Sequence, residues 1–150
     1  MKKLLCCLLL LALIGCANIA IPSYIQDKYP YQRTLYAPFD KVYKTTIEVF
    51  NEAGWTIDRE AEPMLFEQER SLGENSKQIL LFTEIRQSYF FIGSRYTRLN
   101  VYLRETAAKE TDVEIRYVKV TALMFKSFYG YRSDHMIDRI LQNIEAGLDR

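Results

Sequence analysis

The chain offers few side chains able to do chemistry. It holds one histidine, His135, and no G-x-S-x-G elbow, phosphate loop or G-x-G-x-x-G turn. Carboxylates are the remaining option, because glycan cleavage needs two of them across a groove. Glu67, Glu69, Glu84 and Glu114 fall on expected strands, where they read as solvated strand faces. His135 falls in the first turn of an expected helix, where the helix dipole disfavours its charged form. No local partner joins it, so it reads as a surface residue. No catalytic residue, metal site or cofactor is therefore expected.

Cysteine use changes once the first residues are read. Lys2 and Lys3 precede an uncharged run, Leu4 to Gly15, that contains Cys6 and Cys7 and ends in Leu13-Ile14-Gly15-Cys16. A basic start and an apolar run of this length form a secretory signal peptide. The run is shorter than the ~20 residues a membrane span needs.

The end of that run resembles the lipobox of bacterial lipoproteins. The resemblance implies cleavage between Gly15 and Cys16, removal of residues 1–15, and acyl chains on Cys16. Such an anchor is effectively permanent, since one acyl chain binds marginally and several bind durably. Ala17 stands where the enterobacterial sorting pattern places Asp for inner-membrane retention. The resemblance thus implies the periplasmic face of the outer membrane, in a Gram-negative host. Losing Cys6 and Cys7 and capping Cys16 leaves no free thiol. Cys–His catalysis, a His/Cys zinc site and an internal disulfide are excluded together. Loss of Lys2 and Lys3 takes the formal charge from +1 to −1. A nucleic-acid partner, which calls for a basic excess, is not expected.

Residues 16–32 read as the lipidated N-terminus and a tether. Pro22 and Pro30 and the lack of an apolar period favour extended chain, with a reach of about 50 Å for sixteen residues. Residues 33–150 read as one domain. A first strand is expected at Arg33–Tyr36. A helix follows from Pro38 to Gly54, burying Phe39, Val42, Tyr43, Thr46, Phe50 and Ala53. Strands are expected at Trp55–Glu60, Met64–Glu69, Gln78–Arg86, Arg95–Glu105 and Thr111–Thr121. The last switches phase at Val118 and Val120, which suggests a bulge or bend. Ser133 then caps a helix that buries Met136, Ile137, Ile140, Leu141, Ile144 and Leu148.

The order β-α-β-β-β-β-β-α predicts an α+β fold, an antiparallel meander of five to six strands with two amphipathic helices on one face. The lipobox, the Phe39–Trp55 helix with its Ala-Gly-Trp end, and the Ser133–Leu148 helix together resemble a known domain type. It is that of the C component of the outer-membrane β-barrel assembly machine. The match is one of pattern, with one such unit here against two there. It implies location and fold more than role. An envelope protein is the expected partner.

Eleven tyrosines, eight phenylalanines and one tryptophan all follow Cys16. Phe39, Tyr43, Phe50, Trp55 and Phe66 suit the core. Two clusters sit in connections instead: Tyr89, Phe90 and Phe91, and Phe125, Phe128, Tyr129 and Tyr131. In a meander alternate connections share an end, so the two clusters should converge with Arg95, Lys126 and Arg132. Such an end suits a protein interface or a membrane interface. The other reading lengthens the strands and uses the rings to close the core. A lipid or small-molecule carrier is a rival, motivated by the second apolar face of Gln78–Arg86 (Leu80, Phe82). It calls for an apolar cavity above ~300 Å³.

Overall fold

The computed structural model describes residues 19–67, 76–123 and 126–150. Its elements run β1 (Tyr31–Leu35), α1 (Phe39–Glu52), β2 (Ile57–Ala61), a 3-10 turn (Pro63–Leu65), β3 (Gln78–Thr83) and β4 (Arg86–Phe90). They continue with β5 (Gly93–Ala107), β6 (Glu110–Leu123), β7 (Ser127–Gly130) and α2 (Asp134–Leu148). The fold is the expected α+β meander. Among the described residues the sheet has seven strands, ordered β1-β6-β5-β3-β2. Strands β5 and β6 pair along nearly their whole lengths. β3 and β4 therefore follow one another along the free side of β5, and β1 and β7 share the free side of β6.

Strands β4 and β7 form where connections were expected, and one expected strand is lost. The expected strand Gln78–Arg86 breaks at Glu84 and Ile85. There Glu84 N–H turns to the Thr56 carbonyl, and the Thr83 hydroxyl accepts from Leu99 N–H in place of a ladder bond. Thr83 is fully buried, so its hydroxyl can act as a backbone substitute. The expected strand Met64–Glu69 is not formed over its described part. Pro63 opens a 3-10 turn instead, and its fixed φ and missing N–H favour a turn over a ladder. Glu69 lies outside the described residues.

Helix α1 buries Phe39, Val42, Thr45, Thr46, Val49 and Phe50. Tyr43 is only half-buried and Ala53 is exposed. The helix ends as expected at Gly54, whose φ of +75° suits a residue without a side chain. Trp55 N–H reaches back to the Phe50 carbonyl, and Gly54 N–H to that of Asn51. Helix α2 buries Ile137, Ile140, Leu141 and Ile144. Ser133 precedes it but makes no side-chain cap; its N–H donates to the Tyr31 hydroxyl. Both helices cover one face of the sheet, against Leu81, Leu99, Val101, Leu103, Val113, Ile115 and Tyr117. Each fully buried aliphatic side chain there stabilises the fold by about 1.5–3 kcal/mol.

The other face is also covered, and by the expected tether. From Ile19 on, the segment assigned to a free leash lies on the sheet. Ile25 is fully buried, and with Ile19 and Ile21 it packs on Val118, Val120 and Tyr96. Tyr24 and Phe66 stack and cover Leu80, Phe82 and Tyr102. This explains the phase switch in β6. The β5–β6 register runs unbroken through Arg116, Tyr117 and Val118, so there is no bulge at that point. Val113, Ile115 and Tyr117 face the helices, whereas Val118 and Val120 face the N-terminal segment.

Candidate interaction surface

The two aromatic connections do share one end of the sheet. Phe90 pairs with Gly93 across the β4–β5 turn, Gly93 pairs with Leu123 of β6, and Ala122, Thr121 and Val120 pair with Ser127, Phe128 and Tyr129. Gly93 is required there by close approach: a Cβ would lie 2.1 Å from the Ala122 carbonyl oxygen. The segments extend the strands, as the second reading has it. The strands are longer than expected, yet their rings do not close the core. Every residue of β4 is exposed. Tyr89 is 77% exposed and Phe91 is entirely so, and Phe90, Ile92, Phe128, Tyr129 and Tyr131 are exposed as well. The reason is reach. The helices cover the rows at Leu99–Leu103 and Val113–Tyr117, and the hairpins run on past them. Phe125 lies outside the described residues, as do Gly15 and Cys16.

Cations accompany the rings. Lys126 Nζ stands 5.1 Å from the centre of the Phe128 ring. Arg132 does not join it as expected: its guanidinium lies 4.9 Å from the centre of the Tyr31 ring, and Tyr31 pairs with Ile115, well back from the turns. Arg95 is exposed at the same end. Tyr129 Oη donates to the Ala20 carbonyl at 3.1 Å, which ties β7 to the N-terminal segment.

That segment is held by polar side chains on the sheet face away from the helices. Asn100 is fully buried. Its Oδ1 accepts from Ile25 N–H at 2.7 Å, and its Nδ2 donates to the Ser23 carbonyl at 3.2 Å. Arg116 is 4% exposed and donates to the Ile25 carbonyl. Its Nη1 lies 2.5 Å from Glu67 Oε1, and its Nη2 lies 2.5 Å from Glu114 Oε1. Tyr24 Oη accepts from Arg116 and donates to Glu67. Burial pulls the Arg116 pKa down, but the bond to Glu67 and the charge of Glu114 outweigh it and raise it above the usual arginine value. Two of the four candidate carboxylates thus meet on one guanidinium, which acts as a clamp. Glu84 is exposed, well apart from them. His135 is exposed too, with Nε2 2.9 Å from Arg139 Nη2 one helical turn on.

Two hollows border this clamp. One, about 370 Å³, is lined by Gln32, Arg33, Thr34, Tyr102, Arg104, Asp112, Val113 and Glu114. The other, about 610 Å³ and open to solvent, lies between Tyr24, Asp27, Lys28, Phe66, Glu67 and Arg116. Both linings are mostly polar or charged. Sequence reasoning missed Asn100 and Arg116. The available signal was the pairing of spare apolar positions: Ile19, Ile21 and Ile25 in the leash matched Val118 and Val120 on an uncovered strand face. No protein-family model matches the chain, and no curated protein matches its sequence.

Proposed function

We propose that this chain is a lipid-anchored, periplasm-facing interaction domain of the bacterial envelope, acting by binding and not by catalysis. The observation that carries the reading is the aromatic end, where six rings and an isoleucine stand exposed on two hairpins instead of filling the core. Exposed apolar patches on an otherwise well-packed domain mark contact surfaces. The lipobox at Leu13–Cys16 supports the anchor and the location. The carrier reading loses its motivation, because Leu80 and Phe82 are covered by Tyr24 and Phe66 and the hollows beside them are polar-lined. The glycan-cleavage reading is weakened by the clamp. Glu67 and Glu114 bind the same arginine and line separate hollows, so they do not face one another across a single groove.

Two measurements test this reading. Cells fed an alkynyl fatty acid should label the chain, and Cys16→Ser should abolish the label; an unlabelled parent chain overturns the anchor. The triple variant Tyr89→Ser, Phe90→Ser and Tyr129→Ser should keep its circular dichroism and lose only about 1–2 kcal/mol of stability. A triple variant that unfolds makes these residues core and ends the surface reading.

A further inference from the structure

We infer that the aromatic end is a bilayer-contacting face, one that sets the orientation of the domain on the membrane holding its lipid. The inference rests on acylation of Cys16, and three observations carry it.

The first is position. From Ile25 back to Ile19 the chain runs along the sheet towards the hairpin turns. Asn100 holds Ile25 and Ser23, Arg98 reaches the Pro22 carbonyl, and Tyr129 holds Ala20. Only Ala17 and Asn18 separate Ile19 from Cys16. Three Cα steps span at most about 11 Å. An acylated Cys16 therefore enters the bilayer beside this end and cannot do so beside the other.

The second is charge. No Asp or Glu occurs from Gln87 to Tyr96 or from Val120 to Gly130, the two stretches that build this end. Arg95 and Lys126 do occur in them. The opposite end, at the β5–β6 turn, carries Glu105, Glu110 and Asp112 against Lys109 and Arg104, which pairs with Asp112. Anionic headgroups attract the first end and disfavour the second.

The third is side-chain type. Phe91 and Ile92 form the exposed turn, with Tyr89, Phe128 and Tyr129 behind them. Apolar tips backed by tyrosines and long cations match the depth profile of a membrane interface. The acyl chains already supply attachment. What the rings add is direction: the acidic end, roughly 45 Å away along the fifteen-residue β5, points into the periplasm.

The test uses the full chain in cells grown with labelled phosphate. Phe91, Tyr129 or, as the distal control, Lys109 is replaced by p-azidophenylalanine, and the cells are irradiated. The expected result is phosphate-labelled phospholipid joined to the chain from positions 91 and 129 and none from position 109. Discrete protein adducts from 91 and 129, no adducts from them, or equal lipid labelling from 109 overturn the inference. The fatty-acid label on Cys16 is read in the same cells. A chain without it fails at the anchor, whereas a labelled chain with the wrong adducts fails only at the face.

Discussion

Replacing Asn100 by alanine tests whether the N-terminal segment belongs to the fold. Asn100 is fully buried, accepts from Ile25 N–H at 2.7 Å and donates to the Ser23 carbonyl at 3.2 Å. Asn100→Ala removes both bonds and strands the partners under the segment. A buried group left without its partner costs about 1–3 kcal/mol. The segment can relieve that cost by lifting off, which exposes Ile25 but leaves the helix-covered core intact. The free energy of this local opening should fall by about 2–3 kcal/mol, a rise of roughly 30- to 150-fold in the exchange rate of the Ile25 amide. Hydrogen–deuterium exchange followed residue by residue reads it directly. Val101, at the centre of β5, marks the rate of global unfolding in the parent. An Ile25 amide that exchanges no faster in a folded Asn100→Ala variant refutes the latch. An Ile25 amide already as slow as Val101 in the parent refutes local opening, since the segment would then come away only with the whole sheet.

Two glycines should respond differently to alanine. Gly93→Ala places a Cβ 2.1 Å from the Ala122 carbonyl oxygen, so the hairpin must shift; a loss of about 1–3 kcal/mol is expected in urea denaturation. Gly54→Ala meets no atom closer than 3.9 Å and suffers only left-handed backbone strain, about 1–2 kcal/mol. Alkali should also unfold the domain through its tyrosines. Burial raises the Tyr117 hydroxyl, burial and the bond to Asp134 raise Tyr31, and the bond to Glu60 raises Tyr43, each above its ordinary 10.0. The folded chain keeps these protons where the unfolded chain releases them. Stability from this source is therefore complete below pH 10 and lost as pH rises through the raised folded values. Urea midpoints should decline above that pH, and Tyr117→Phe should flatten the decline.

The helices were legible because each carries its signal locally. Phe39, Val42 and Phe50 recur at helical spacing, and Gly54 stops α1 by a conformation glycine adopts freely. The meander was legible because short turns leave antiparallel neighbours little choice. The strand break at Glu84 was not, since it depends on Thr83 meeting Leu99 from another strand. The tether was misread for a related reason. Ile19, Ile21 and Ile25 lack a period because the segment forms no ladder with the sheet it covers. Their partners, Val118 and Val120, stand almost a hundred residues away and looked like an irregularity in β6. Of the candidate surface, the convergence of the two clusters followed from topology alone. Their exposure did not, because it depends on how far the helices reach along the sheet.

Docking of the N-terminal segment changes what a lipid on Cys16 would do. A sixteen-residue leash lets a domain wander over about 50 Å in any orientation. Chain fixed from Ile19 leaves only Ala17 and Asn18 between the lipid and the fold. A pull on such an anchor would pass to Asn100 and Arg116, which sit opposite one another on β5 and β6, the two longest strands among the described residues. The segment and the sheet depend on each other here. Val118 and Val120 lie beyond the helices' cover and on the other face, so without Ile19, Ile21 and Ile25 they would be wet. The isoleucines in turn pack on this face, with Ile25 fully buried by it. A mutation that frees the segment therefore uncovers β6 and releases Ile19 from its place beside the aromatic end in one step.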